Sequence, residues 1–130
     1  MAVNIWLEKA SDIRNAAVHY NCAQAVVMTF AEPCGLTAER ACSLCAFFGA
    51  GAKMGELCGA ISGGLMVIGL LGGGDSEYRR FVSYMKERHS NLVRCSDLLR
   101  QEVGSPAEKK PHCDGMVYEA VEAVAEIMNL

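Results

Sequence analysis

Strand signals are scarce in this chain. Threonine occurs only twice against 17 alanines, and aromatic residues make up 7% of the 130 residues. No run of five or more residues alternates apolar and polar cleanly, and no Asn-Gly or Asp-Gly pair sits between candidate strands. A sheet announces itself by those signals, so helices are expected instead. A basic excess is missing too. Lys and Arg number 12 against 15 Asp and Glu, a net charge of −3. Nucleic-acid binding draws on a basic patch or stripe, so no such partner is expected. No basic leader followed by an apolar run opens the chain. We therefore expect no secretory signal and a cytoplasmic location. Cysteines there stay reduced, and clusters of them serve metal or redox chemistry more often than scaffolding.

What is present is apolar. Hydrophobic residues reach 52% and charged residues 21%, which excludes disorder and supports a packed core. The length suits one domain, residues 1–130. A charge-free run from Leu57 to Gly74 covers 18 residues, seven of them glycine. It touches the lower limit of a membrane span, but the glycines favour a buried central helix, and no membrane insertion is expected. Gly59 and Gly63 are four apart, as are Ala60 and Gly64. On a helix they make a smooth face where another backbone can approach.

Helical periodicity recurs along the chain. Trp6, Ala10, Ile13 and Ala17 share one spacing, and Ala23, Val26, Val27 and Phe30 repeat it after Asn21, a good N-cap. Thr37 opens a helix expected to run to about Phe48. Gly49 to Gly55 reads as a glycine-rich loop; it lacks the Gly-Lys-Ser/Thr end of a phosphate loop. A helix over Leu57 to Leu71 follows. The next is capped by Asp75 or Ser76, with Tyr78, Phe81, Val82, Met85 and His89 on its apolar face. A short helix starts near Cys95 and ends near Gly104. Ser105 to Pro111 reads as a polar linker. The last helix carries Val117, Ala120, Val121, Val124 and Met128 on one face, with Glu119, Glu122 and Glu126 on a solvated one. The expectation is an all-α, single-domain bundle of five or six helices around the glycine-rich one.

Seven cysteines are a high load. Cys22, Cys58, Cys95 and Cys113 all fall at or near expected helix starts. Unpaired amides and the helix dipole stabilise an anion there, and a thiol so placed becomes a reactive thiolate. The four have no close sequence partner, unlike compact zinc or ferredoxin patterns, so only the fold could gather them. Cys42 and Cys45 form a C-x-x-C on one helix face, which could serve as a dithiol or half a metal site, but without a preceding strand core packing is favoured. Cys34 sits in a turn and reads as incidental. His112 beside Cys113 is a shuttle or ligand, or a surface residue of the linker. His19 and His89 receive no role.

Gly55-Glu56-Leu57-Cys58-Gly59-Ala60-Ile61-Ser62-Gly63-Gly64 resembles the central Cys-Gly-Ala-x-x-Gly motif of the C_GCAxxG_C_C family of redox-active proteins. Asn21-Cys22-Ala23-Gln24-Ala25-Val26 resembles that family's first cysteine and helix. Cys95 with Leu98-Leu99 resembles the third, and Cys113 the fourth. The resemblance spans roughly residues 15 to 128 and implies a redox function built on Cys22, Cys58, Cys95 and Cys113. It supplies neither substrate nor settled cofactor, and leaves Cys34, Cys42 and Cys45 outside the pattern.

The leading expectation is one site made of these four thiolates, serving electron transfer or redox sensing. The four are then ligands of a metal, most simply an iron–sulfur cluster. The alternative is a thiol–disulfide exchange protein acting on a redox partner protein. A third reading is a non-catalytic helical interaction domain with structural zinc. Whether the chain is an enzyme, and whether it pairs with a second copy of itself, stays open.

Overall fold

The computed structural model describes residues 2–130, with side chains from Asn4 onward. The helices are α1 (Ala2–Arg14), α2 (Cys22–Thr29), α3 (Ala38–Leu44), α4 (Gly59–Leu70), α5 (Asp75–Glu87), α6 (Cys95–Glu102) and α7 (Lys109–Ile127). The all-α class is as expected. Seven α-helices stand among the described residues, α3 and α6 being short at 7 and 8 residues. Among the described residues, the strand-like pairing is a single antiparallel bridge between Leu57 and Arg94. None of the described helices is long and apolar enough to cross a membrane.

The glycine-rich α4 lies at the centre, packed against α2, α5 and α7. Gly59, Ala60, Ile61, Gly63, Gly64, Val67 and Ile68 are buried along it. Two glycines bring backbone to backbone. A Cβ on Gly59 would stand 3.0 Å from the Phe48 carbonyl oxygen and 3.1 Å from the Ala23 nitrogen; one on Gly63 would stand 3.1 Å from the Ala23 oxygen. Gly64 differs: it makes room for the Phe81 ring, whose Cζ a Cβ would meet at 2.3 Å. The small-residue face thus seats α2 on one side and an aromatic side chain on the other.

Capping fixes where the site helices begin. Asn21 accepts from the Gln24 amide at 2.8 Å, and Gln24 Oε1 accepts from the Asn21 amide at 2.9 Å. This reciprocal box places Cys22 as the first residue of α2. Asn21 Nδ2 also donates to the Cys45 carbonyl at 3.1 Å, tying α2 to the end of α3. Thr37 caps α3 as expected, accepting from the Arg40 amide at 3.0 Å.

Several boundaries differ from the sequence reading. α1 stops at Arg14, and Ala17 is exposed. α3 ends at Leu44 and leaves Phe47 exposed. Gly74 is the N-cap of α5, whose glutamate Glu77 accepts from the Gly74 amide at 2.8 Å. Tyr78 is half-exposed, so the buried face of α5 is Phe81 and Met85. The linker is not extended. A short turn at Pro106–Glu108 leads into α7, which begins two residues before Pro111. Proline is tolerated there because amides of the first turn have no intrahelical acceptor.

Between α3 and α4 the chain makes a left-handed turn. Ala50, Gly51, Ala52 and Lys53 have φ of 51°, 63°, 58° and 61°. Only glycine tolerates this region well; each other residue costs about 1–2 kcal/mol. Gly51 has no alternative, since a Cβ would lie 2.4 Å from the Glu56 backbone.

Candidate functional site

A cavity of about 450 Å³ opens at the end of the bundle where α2, α4 and α6 begin. Cys22, Cys58, Cys95 and Cys113 all line it. Each arrives by a different local device. Cys22 follows the capping box. Cys58 is the N-cap of α4 and Cys95 the first residue of α6. These two are brought together by backbone pairing: the Cys58 amide donates to Val93 at 2.8 Å, and the Cys95 amide donates to Glu56 at 2.6 Å. Both bonds flank the Leu57–Arg94 bridge. Side chains alternate faces along a strand, so Leu57 and Arg94 face out while their neighbours Cys58 and Cys95 turn to the cavity. Cys113 comes from α7, at its fifth residue. That is one turn deeper than the sequence placed it, because α7 starts at Lys109.

A helix start does not suffice to lower a thiol pKa here. Cys58 is helped by the amides of Ala60 and Ile61, yet burial outweighs them and pushes its thiol up to about 11. Cys95 is raised, first by burial and then by the charge of Cys113. Cys22 is raised strongly by its hydrogen-bonding interaction with Cys113, then by burial and by the Cys113 charge. Only Cys113 is lowered, to about 7. Its largest support is the same interaction with Cys22. The charges of Arg14 and Lys109 add to it and outweigh burial. Removing an anion from water costs more than a helix start returns.

Cys113 is the hub of the group: Cys22, Cys58 and Cys95 all feel its charge. Among the described residues, no three His, Cys, Asp or Glu side chains stand close enough to hold one metal ion. Four thiolates on one tetrahedral ion need sulfurs within about 4 Å of one another. A single zinc or iron ion therefore does not fit the thiols as they stand. All seven cysteines are free thiols.

The family described as "Putative redox-active protein (C_GCAxxG_C_C)" matches residues 20–127. The chain belongs to this family. No curated protein and no solved structure matches it. The matched residues of this C_GCAxxG_C_C protein contain the four cavity cysteines, and also Cys34, Cys42 and Cys45. Those three do not line the cavity. Cys45 is fully buried, with its Sγ 3.7 Å from Met66 Sδ, and Cys42 Sγ accepts from Gln24 Nε2 at 3.3 Å. Cys45 packs in the core, while Cys42 is half-buried and stands outside it.

Sequence reasoning missed Arg14 and the second layer around the site. Arg14 is buried beside the thiols, donating to Asp114 at 2.6 Å and to the Tyr20 carbonyl at 2.9 Å. No local pattern links residues 100 apart in the chain. His112 lines the cavity and lies 3.4 Å from Glu102. His89, given no role from sequence, is buried between Glu102 at 2.9 Å and Glu119 at 2.7 Å. The glutamates of α7 are thus not all solvated; Glu122 also accepts from the Tyr84 hydroxyl at 2.6 Å.

Burial alone would lower the His89 pKa, but its hydrogen bonds to Glu102 and Glu119 outweigh that and raise it. The imidazolium is therefore favoured in the folded state. Its contribution to stability is complete below the unfolded pKa of about 6.5 and fades as pH rises through the higher folded value. Thermal melts should show stability declining above about pH 6.5, and His89→Gln should flatten that decline. An unchanged slope in the variant would remove His89 as its source.

Proposed function

We propose that this chain is a thiol–disulfide exchange protein in which Cys113 attacks and Cys22 resolves. The supporting observation is the one cavity that Cys22 and Cys113 line together with Arg14 and Lys109; there the Cys113 thiol is lowered by Cys22 and by the two cations, and the Cys22 thiol is raised. An attacking thiol works best with a pKa near the ambient pH, since a lower pKa also weakens nucleophilicity.

The steps balance. The Cys113 thiolate attacks one sulfur of a partner disulfide, the partner S–S bond breaks, and one partner thiolate leaves. Cys113 is now neutral. Of the influences that held the proton on Cys22, its bond to the thiolate and the repulsion from it are gone, and burial remains. Arg14 then favours the Cys22 thiolate. Cys22 loses its proton and attacks the Cys113 sulfur. The second partner thiol leaves, and an intramolecular disulfide remains. The protein gives up two electrons and the partner disulfide becomes two thiols. Cys58 and Cys95 line the same cavity and extend the store of reducing thiols.

An iron–sulfur cluster is the competing reading, favoured by the presence of four thiols on one cavity. One experiment separates the two. Protein purified without oxygen is analysed for iron, then treated with a neutral small disulfide and mapped by peptide mass spectrometry. Exchange requires iron-free protein that acquires a Cys22–Cys113 bond, while Cys22→Ala stops at a mixed disulfide on Cys113. Stoichiometric iron with visible absorbance overturns the exchange reading.

A further inference from the structure

We propose that the oxidant received by this cavity is a small organic disulfide carrying negative charge, such as one bearing carboxylates. This rests on the exchange reading and specifies its substrate class. The protein as a whole is acidic, with net charge −3. Its cavity is the reverse. Arg14, Lys53, Lys109 and Lys110 line it together with His19 and His112, and no aspartate or glutamate does.

The cations are not all committed elsewhere. Arg14 and Lys110 share Asp114, at 2.6 and 2.9 Å. Lys53 and Lys109 take part in no ion pair among the described residues; Lys53 lies 5.2 Å from the centre of the Phe47 ring. With Asp114 and a Cys113 thiolate both counted against the four cations, the surroundings stay positive by two charges. A concave, partly apolar wall concentrates such a field and draws anions in.

The left-handed turn supplies Lys53. Three non-glycine residues in that region (Ala50, Ala52 and Lys53) are an unfavourable way to connect two helices. Strain of this kind concentrates at binding sites, and this turn puts both Ala50 and Lys53 on the cavity.

Size and lining argue for an organic ligand over an inorganic ion. The volume of about 450 Å³ equals that of roughly fifteen waters. It falls inside the range of small-molecule sites. Leu98, Leu99 and Met116 give the wall an apolar part that a bare oxyanion would leave unused. The chemistry is the balanced exchange above, with the substrate's charged groups against Lys53 and Lys109 and its disulfide before Cys113. Each exchange releases two anionic thiols and leaves the protein oxidised.

The test compares three alkyl disulfides on the full chain in reduced form. They are dithiodipropionate, a dianion, bis-hydroxyethyl disulfide, neutral, and cystamine, a dication. Each rate is divided by that of the same disulfide with a free small thiol, which removes intrinsic reactivity. At low salt the dianion should exceed the neutral compound by at least ~10-fold, and the dication should fall below it. The preference should shrink as salt rises from about 0.01 M to about 0.5 M. In Lys53→Gln/Lys109→Gln the ratio of dianion to neutral should drop towards ~1. Both lysines are exposed, so the variant should fold, and a melt confirms it. Equal normalised rates for the three compounds on the native chain overturn the anionic substrate while leaving disulfide exchange standing. Failure of all three to form the Cys22–Cys113 bond overturns both.

Discussion

Cys113→Ser should slow the reaction with a neutral small disulfide by about threefold or more at neutral pH and move the mixed disulfide to another thiol. Cys113 is lowered to about 7. Loss of its charge relieves Cys22, Cys58 and Cys95, so a thiol of ordinary pKa, ~3% ionised against about half for Cys113, sets the residual rate. That ~15-fold deficit in thiolate is offset by roughly 5-fold greater nucleophilicity at a Brønsted slope near 0.45. Cys22→Ala should behave differently. It removes the interaction with Cys22, so the Cys113 pKa should rise and its thiolate fraction fall from about half towards the ~3% of an ordinary cysteine. Attack then slows by no more than about 15-fold, and the product stalls as the mixed disulfide. The measurement is the pH–rate profile of both variants with mass analysis of the product. A Cys113→Ser protein reacting at more than half the native rate sinks the assignment.

Gly63→Leu should destabilise the fold by about 3 kcal/mol or more. The reason is the approach of α2 to α4. Even a bare Cβ at Gly63 would stand 3.1 Å from the Ala23 oxygen, 3.2 Å from its Cα and 3.2 Å from Val26 Cβ. Leucine adds three further carbons where backbone already lies, and backbone cannot turn aside as a side chain can. At this chain length such a loss lowers the melting temperature by roughly 10 °C or more. Gly69→Leu is the matched control. It lies on the same helix, is exposed, and a Cβ there meets nothing within 4 Å. Relief of glycine's poor helix propensity should leave it neutral or stabilised by up to about 1 kcal/mol. Equal melting of the two variants would refute the close-approach account. A folded Gly63→Leu protein should also react more slowly, since Ala23 adjoins Cys22 and any shift of α2 disturbs the Cys22–Cys113 pair.

By itself the sequence determined whatever depends on neighbours in the chain. Helix periodicity around Ala23, Val26 and Val27, and caps at Asn21 and Thr37, are local physics, and they stand where they were read. The spacing of Gly59 and Gly63 likewise announced a face for close backbone contact. The motif set around Cys22, Cys58, Cys95 and Cys113 selected four cysteines out of seven, and the three left over do not line the cavity. Tertiary structure decided which of the four carries charge. A helix start is a local feature and was visible for Cys58, but burial is not local, and burial reversed its effect there. Arg14 acts on Cys113 from 99 residues away, Asp114 holds that arginine in place, and the amides of Cys58 and Cys95 donate to the carbonyls of Val93 and Glu56 across the bridge. None of these leaves a trace at short spacing. The ionisation of a thiol depends on everything within a few ångströms, and those neighbours are assembled only when the chain folds.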